Sequence, residues 1–491
     1  MNAILVACAS PGGSIQWNRI YWANCERTVS KLQARIVKAT KESRWCKVKA
    51  LQWLLTHSLS GKALAVRRVT ENQGKRTPGI DGEIWKTPAT KTRAMLSLGR
   101  RGYQPQPLRR VYIPKSNGKL RPLGIPTMKD RAMQALHLLA LDPVSETTAD
   151  GDSYGFRKRR ATRDALQQCF LVLSRRTRPQ WILEADIKGC FDNISHDWML
   201  RHIPMDKQVL RKWLKVGFVD KAQWFPTESG TPQGGIASPT LANMALDGLE
   251  ERLSRRFPYR PTEGRLKVHV IRYADDFIIT GRSIDLLEQA KAEVEAFLAE
   301  RNLSLSPEKT KITQIAEGFD FLGFNVRTYK DKLLIMPSKG AQDRVWRNVR
   351  DIIRRNKTAR QQDLISLLNP VIRGWANYYS HAVSSRAFGK LDHLIWKALW
   401  RWAKRRHPGK RKQWVKDRYF PALGSRSWVF ACKGFVDQHG KSALMSLAKA
   451  ADIKIRRHVK IKADANPYDP QWKSYFVGRG TVVTGSNNID L

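Results

Sequence analysis

Val268-His269-Val270-Ile271-Arg272-Tyr273-Ala274-Asp275-Asp276-Phe277-Ile278-Ile279-Thr280 reads as two short apolar runs of strand character, joined by a turn that carries adjacent carboxylates. A hairpin holds such a pair rigidly at its tip. Two acids alone cannot hold a catalytic metal pair, so the reading requires a third carboxylate elsewhere. Trp181-Ile182-Leu183-Glu184-Ala185-Asp186 supplies it, as a buried-strand pattern ending in an acid. Ile187-Lys188-Gly189-Cys190-Phe191-Asp192 then turns into a helix. A lone carboxylate at the end of a core strand is expensive to bury unless a cation offsets it. Asp-Asp at a turn is common, so its weight comes from the motifs around it.

The composition narrows the partners. The chain has 491 residues and is 42% hydrophobic, enough for two to four domains with buried cores. Lys plus Arg is 88 against 43 Asp plus Glu, a net charge of +45. Such a cation needs an anionic partner, and nucleic acid or an anionic membrane surface are the usual ones. No apolar run approaches the roughly 18–20 residues that span a bilayer, which disfavours membrane. The 17 Trp in this basic setting suit base stacking, although most Trp in any protein are core. None of the six Cys lies in a C-x-x-C pair, so neither a zinc site nor a disulfide framework is expected. Leu5-Val6-Ala7-Cys8 resembles a lipoprotein box, but the apolar stretch before it is short and no Lys or Arg precedes it. A bacterial cytoplasm, with association to the nucleoid when on DNA, is the expected location.

Along the chain, Val29, Leu32 and Ile36 mark one helical face, and Val48, Leu51 and Leu55 another. Both helices carry Lys and Arg opposite, giving a basic helical N-terminal extension over 1–60. Residues 61–335 mix strands, turns and helices, with a hairpin expected from Val111-Tyr112-Ile113 to Leu120-Arg121-Pro122-Leu123 across Ser116-Asn117-Gly118. Over 336–408 the pattern becomes helical. Leu391, Leu394, Ile395, Ala398, Leu399 and Trp402 share one face, Val345, Val349, Ile352 and Ile353 another, and Leu364, Leu367 and Leu368 a shorter third. Pro408-Gly409 ends that region. Residues 409–491 are basic with weaker periodicity, and from Gly478 onward the chain reads as a loose end.

With these motifs in order, the chain resembles a reverse transcriptase and maturase encoded by bacterial and organellar group II introns, from about Trp17 to about Phe476. Tyr273-Ala274-Asp275-Asp276 matches the family's active-site box. Thr77-Pro78-Gly79-Ile80-Asp81-Gly82, Ile113-Pro114-Lys115 through Pro126, and Ser153-Tyr154-Gly155-Phe156-Arg157 resemble its fingers motifs. Gly230-Thr231-Pro232-Gln233-Gly234-Gly235 resembles the motif under the templating base pair, and Phe319 to Phe324 the primer grip. Asn369-Pro370 with Arg373-Gly374-Trp375 and Asn377-Tyr378-Tyr379 resembles the maturase thumb.

The resemblance implies an α+β right-hand polymerase: fingers and palm with an antiparallel palm sheet, then an all-α thumb and a small basic C-terminal domain. Two Mg²⁺ ions would be held by Asp186 and Asp275, with Asp276 as supporting acid and the Ile187 backbone carbonyl as a further ligand. Lys115 and Arg121 match the pair that grips the incoming triphosphate, and Gln233 the residue that contacts the nucleotide. Phe191 matches the ring under the sugar, which would clash with a 2′-hydroxyl and favour deoxynucleotides. Lys309 matches the lysine placed to protonate pyrophosphate, although many such lysines act only by charge. Phe321, Leu322 and Gly323 match the primer grip.

Three basic segments are candidate contacts to intron RNA and target DNA: Lys31, Arg35 and Lys38; Arg401, Arg405, Arg406, Lys410 and Arg411; and Arg456 with Arg457. The departure from the family is C-terminal, where many members carry an H-N-H endonuclease. After Lys410 there is one Cys, Cys432, and no His-His pair. The expected activity is RNA-directed DNA synthesis by target-primed reverse transcription, together with assistance to splicing. The oligomeric state is left open. A splicing cofactor with a retired polymerase would not need Asp186, Asp275 and Asp276. A retron-type enzyme would be shorter, and an RNA-dependent RNA polymerase is disfavoured by Phe191.

Overall fold

The computed structural model describes residues 16–114, 118, 120–174, 179–231, 234–259, 268–436 and 442–481. Helices α1 (Trp22–Lys41), α2 (Trp45–His57), α3 (Leu59–Glu71) and α4 (Pro88–Ser97) precede the hairpin β1 (Leu108–Pro114) and β2 (Leu120–Ile125). Then come α5 (Met128–Thr148), α6 (Thr162–Leu173), β3 (Trp181–Asp186), α7 (Cys190–Asn193), α8 (His196–His202) and α9 (Lys207–Leu214). They are followed by β4 (Phe218–Asp220), β5 (Gln223–Phe225), α10 (Ser238–Leu246) and α11 (Leu249–Arg256). The segment β6 (His269–Tyr273), β7 (Asp276–Gly281), α12 (Ile284–Ala299) and β8 (Lys311–Gln314) leads to β9 (Phe319–Phe321), β10 (Phe324–Tyr329) and β11 (Lys332–Pro337). Last are α13 (Lys339–Arg355), α14 (Gln361–Tyr379), α15 (Ser385–Arg406), α16 (Lys412–Tyr419), β12 (Ala431–Val436), β13 (Ser442–Ser446) and α17 (Lys473–Thr481).

The chain divides into two compact units. The first contains residues up to Ala165, Trp181–Ile312 and the segment from Ile461; the second contains Leu166–Gln180 and Thr313–Lys460. The division at 312/313 falls ahead of the boundary expected at 335, and the segment from Ile461 groups apart from 409–460.

In the first unit the site rests on neighbouring strands in the order β6-β7-β3. β7 is antiparallel to both β6 and β3. Its apolar residues Phe277, Ile278 and Ile279 are almost fully buried, as are Ile182 and Leu183 of β3, so both faces are covered. A second sheet, order β2-β1-β4-β5, extends the hairpin β1–β2 with the short hairpin β4–β5. The N-terminal helices join this unit: Val29, Ile36, Val48, Leu51 and Leu55 pack with Ala140 and Val144 of α5 in one apolar cluster. Their basic residues face outward, as the periodicity anticipates.

The second unit holds a sheet of order β11-β10-β9 and the helices α13, α14 and α15. Leu391, Ile395, Leu399 and Trp402 are the buried stripe of α15. The third helix is longer than the sequence suggests. α14 runs from Gln361 to Tyr379 through Pro370, because its buried stripe continues past the proline at Ile372, Ala376 and Tyr379. Apolar packing there outweighs the missing backbone donor. Among the described residues no helix is long and apolar enough to cross a membrane.

The sequence suggests a loose end from Gly478, but α17 continues to Thr481; residues 482–491 lie outside the described residues. Its Arg479 donates to Asp164 at 2.6 Å, and the Ile461 amide donates to the same carboxylate at 2.8 Å. Nearby, Tyr468 donates to Asp142 at 2.9 Å and Lys41 of α1 pairs with Asp469 at 2.6 Å. The Asp164 side chain is 1% exposed, so its charge depends on these donors. Asp164→Ala should destabilise the first unit by about 3–5 kcal/mol, the range for orphaning a buried charge partner. Denaturant unfolding checks this; a loss under about 1 kcal/mol would show that the segment from Ile461 is only loosely attached.

Candidate active site

The β6–β7 hairpin closes with Tyr273 opposite Asp276, leaving Ala274 and Asp275 as its two-residue turn. Ala274 takes φ 58°, the left-handed region that costs an L-residue about 1–2 kcal/mol. On the other edge of β7, Asp276 stands directly opposite Asp186, the last residue of β3. Register alone therefore brings a carboxylate of β3 against the turn acids.

The environment of the acids reflects that crowding. Burial, then the charge of Asp275 and a hydrogen bond with Asp186, pushes Asp276 up to about 7. Burial, followed by the neighbouring Asp186 charge, raises Asp275, while Lys309 and Arg121 act in the opposite direction. Lys309 Nζ is 2.8 Å from Asp186 Oδ2. That hydrogen bond, then the charges of the three acids, raises the lysine above its ordinary value despite some burial. Lys309 thus serves as the counter-ion of Asp186 here. A lysine so held is a weaker acid than one at its ordinary value.

Hard carboxylate oxygens crowded until they retain protons are the donor chemistry that a divalent cation relieves. By that test the residues fit such ions. As they stand, no three His, Cys, Asp or Glu side chains among the described residues are arranged to hold one. Ile187 pairs with Leu305 in a bridge bracketed by Lys188 N–H to Ser304 O and Ser306 N–H to Asp186 O. Its own carbonyl therefore points away from that partner strand, as a ligand role requires.

The turn is mounted from behind by residues that motif reading did not single out for this role. Arg272, 2% exposed, donates to Asp247 at 2.5 Å, to Asn243 at 3.2 Å and to the Ala274 carbonyl at 3.4 Å. Asn243 in turn donates to the Gly155 carbonyl at 2.7 Å. Gly155 lies so close behind the turn that a Cβ there would strike the Ala274 nitrogen. Arg272 next to the acid box was the available signal: a basic residue inside an apolar strand has a partner to meet.

The nucleotide candidates are partly described. Phe191 is half-buried and packs against the apolar core of the unit. Its ring stands edge-on to Phe156 at 6.1 Å between centroids. Phe156 is 52% exposed and adopts φ 58°, an unusual backbone for a bulky side chain. The sequence quoted Phe156 only within a motif; the structure makes it a second ring beside Phe191. Arg121 lies on β2 opposite Ile113, exposed, and its charge reaches Asp275. Lys115 and Gln233 lie outside the described residues.

The expected primer-grip residues lie in the second unit. Phe321 pairs with Phe324, and Leu322 (φ 52°) with Gly323 (φ 80°) forms the two-residue turn between β9 and β10. Of the basic candidates, Lys31, Arg35, Lys38, Arg401, Arg405, Lys410, Arg411, Arg456 and Arg457 are exposed. Arg406 departs from that expectation. It donates to the Lys357 and Ala359 carbonyls at 3.0 and 2.9 Å and stacks over Trp402, so its cation closes the turn after α13.

Three known families match the chain: "N-terminal domain of reverse transcriptase" over 17–98, "Reverse transcriptase (RNA-dependent DNA polymerase)" over 113–326, and "Group II intron, maturase-specific domain" over 342–420. Protein YkfC of Escherichia coli (strain K12) is 31% identical over 339 residues, 60% of this chain and 87% of that protein. The group II intron-encoded protein LtrA of Lactococcus lactis subsp. cremoris is 28% identical over 426 residues, 68% of this chain and 70% of its own length. A 91 kDa protein in the cob intron of Schizosaccharomyces pombe is 27% identical over 412 residues, 68% of this chain and 51% of that protein.

The raised Asp276 carboxyl makes a signed prediction. Its folded value of about 7 exceeds the unfolded value of about 3.9, so proton uptake favours the fold. That stabilisation is full below about pH 4 and is lost as pH rises through about 7. In chelator, Asp276→Asn should therefore melt above the parent protein at pH 8, and the gap should close towards pH 5. Although protein surrounds much of its carboxyl, Asp276 keeps an exposed edge, and solvent there screens the repulsion, so the gap corresponds to about 1 kcal/mol. Melting curves with equal gaps at both pH values would refute the crowding.

Proposed function

The chain belongs to the group II intron reverse transcriptases and maturases, and from that membership we propose a residue-level account of its DNA synthesis and nucleic-acid binding. The chain is an RNA-directed DNA polymerase with a maturase domain. The proposal is that Asp186, Asp275 and Asp276 are its catalytic acids. The observation that carries it is the β3–β7 register, which sets Asp186 opposite Asp276 with Asp275 in the adjoining turn.

Asp186 and Asp275, with Asp276 and the Ile187 carbonyl alongside, would hold divalent cations. Two Mg²⁺ ions are the version that hard oxygen donors favour. When bound, they supply activation of a primer 3′-hydroxyl and charge neutralisation on the triphosphate. The chain's own groups do the rest. Arg121, with Lys115, would bind the incoming dNTP phosphates by charge-assisted hydrogen bonds. Gln233 would contact the nucleotide. Phe191, backed by Phe156, would pack under the sugar and leave no room for a 2′-hydroxyl. Lys309 would exchange Asp186 for the leaving phosphate, bringing its proton to that side of the site.

The remaining assignments are fingers and palm over 61–335, thumb over 336–408, and a DNA-binding segment and tail over 409–491. The right-hand polymerase arrangement, target DNA as substrate and a bacterial cytoplasmic location belong to the same proposal. The exposed basic residues of α1 and of the segments around 401–411 and 456–457 support contacts to intron RNA and target DNA.

Primer extension on an RNA template with deoxynucleotides tests the acids. Asp275→Ala should abolish extension while binding of structured RNA stays at the parental level. Persistent extension would overturn the assignment. Binding itself should be strongly salt-dependent. If about 6–10 phosphates are neutralised, affinity should fall by roughly 10³–10⁵ between about 50 and 200 mM salt. A nearly flat salt titration would rule out the phosphate-contact reading of these surfaces.

A further inference from the structure

Tyr378 and Tyr379 close α14, and the chemistry above leaves them without a role. Both phenols meet the same two-residue turn between β9 and β10. Tyr378 Oη–H donates to the Leu322 carbonyl at 2.9 Å, and Tyr379 Oη–H to the Gly323 carbonyl at 3.1 Å. The Ser338 amide also donates to the Gly323 carbonyl, at 3.0 Å. The turn needs such support. Leu322 and Gly323 are both left-handed, and for leucine that backbone is unfavourable without outside contacts.

Packing reinforces the hydrogen bonds. Phe324, the first residue after the turn, is fully buried, with ring centroids 5.4 Å from Tyr378 and 4.6 Å from Tyr379. His381 lies on the same ring at 5.2 Å. A Cβ on Gly323 would come within 2.9 Å of Tyr379 Oη, so the turn and the phenol are fitted to each other. Burial pushes the Tyr379 phenol up to about 12, so it remains a donor at any working pH. Tyr378 stays 39% exposed while its hydroxyl is engaged.

We propose that Tyr378 and Tyr379 are positioning residues for the primer strand, setting the backbone of the Leu322–Gly323 turn through its two carbonyls. This rests on the reading of Phe321–Gly323 as the primer grip. Both tyrosines fall within 342–420, the region that matches the maturase-specific domain. On this reading the tyrosine pair serves DNA synthesis apart from any contact to intron RNA.

Steady-state primer extension tests this with Tyr378→Phe, Tyr379→Phe and the double variant, which remove the hydroxyls and keep the rings. Primer–template and dNTP are varied separately, and thermal melts accompany each protein. Each single variant should raise the KM for primer–template about three- to tenfold, the usual effect of one lost hydrogen bond. The double variant should raise it further. The KM for dNTP, kcat at saturating primer and the melting temperature should stay near parental values. Gly323→Ala, a direct change to the turn, runs in parallel. If it raises the primer KM while the Phe variants do not, the hydroxyls do not position the primer and the inference falls. If neither moves the primer KM, the primer-grip reading falls first. If the Phe variants depress melting, kcat and both KM values together, the tyrosines serve only structure, which also overturns the inference.

Discussion

Electrostatic repulsion among Asp186, Asp275 and Asp276 is the constraint around which the first unit is organised. The sheet register leaves these carboxylates no freedom to separate, because Asp186 and Asp276 are cross-strand partners and Asp275 adjoins them in a two-residue turn. Part of the charge is answered by Lys309 and Arg121, and part by proton retention on Asp276. Catalytic sites commonly carry such perturbed acids, since crowded carboxylates are the arrangement that receives cationic charge well.

A repulsive site at a strained turn needs a stiff foundation. Arg272 provides it through buried bonds to Asp247, Asn243 and the Ala274 carbonyl. A buried guanidinium is tolerated because a carboxylate and an amide meet it with directed hydrogen bonds. Gly155 completes the mount by letting a second backbone lie against the turn. The same economy recurs in the second unit, where tyrosine hydroxyls of α14 hold a left-handed turn by its carbonyls. In both places, backbone that L-residues avoid is held by a hydrogen bond from a side chain to a carbonyl of the turn, from strand β6 in the first and from α14 in the second.

The net charge of +45 has to be divided among uses. Arg157 and Arg160 are spent inside, on Glu146, and Arg301 on the Ala245 and Phe297 carbonyls. Arg406 closes a turn. Lys31, Arg35, Lys38, Arg401 and Arg405 stay at the surface. Among the described residues, exposed cations of this second kind, Arg121 included, are the ones open to phosphates, so the length of a basic run overstates its binding role.

Periodicity by itself determined the strands that carry the site and several of the flanking helices. Alternation and apolar runs are local properties, and they place β3, β6 and β7 and the buried stripes of α1, α2, α13 and α15. Motif spacing likewise determined the family, and with it the acids to examine. The end of α14 escaped because its apolar stripe was followed only to Leu368, and the order of α17 escaped because Arg479 finds its partner Asp164 some three hundred residues away. The mount of Arg272, Asn243 and Gly155, the ring pair of Phe156 with Phe191, the inward turn of Arg406 and the ion pair of Lys309 with Asp186 were decided only by tertiary structure. Each joins residues distant in the chain, and a sequence records which groups are present but not which of them folding brings within hydrogen-bonding reach.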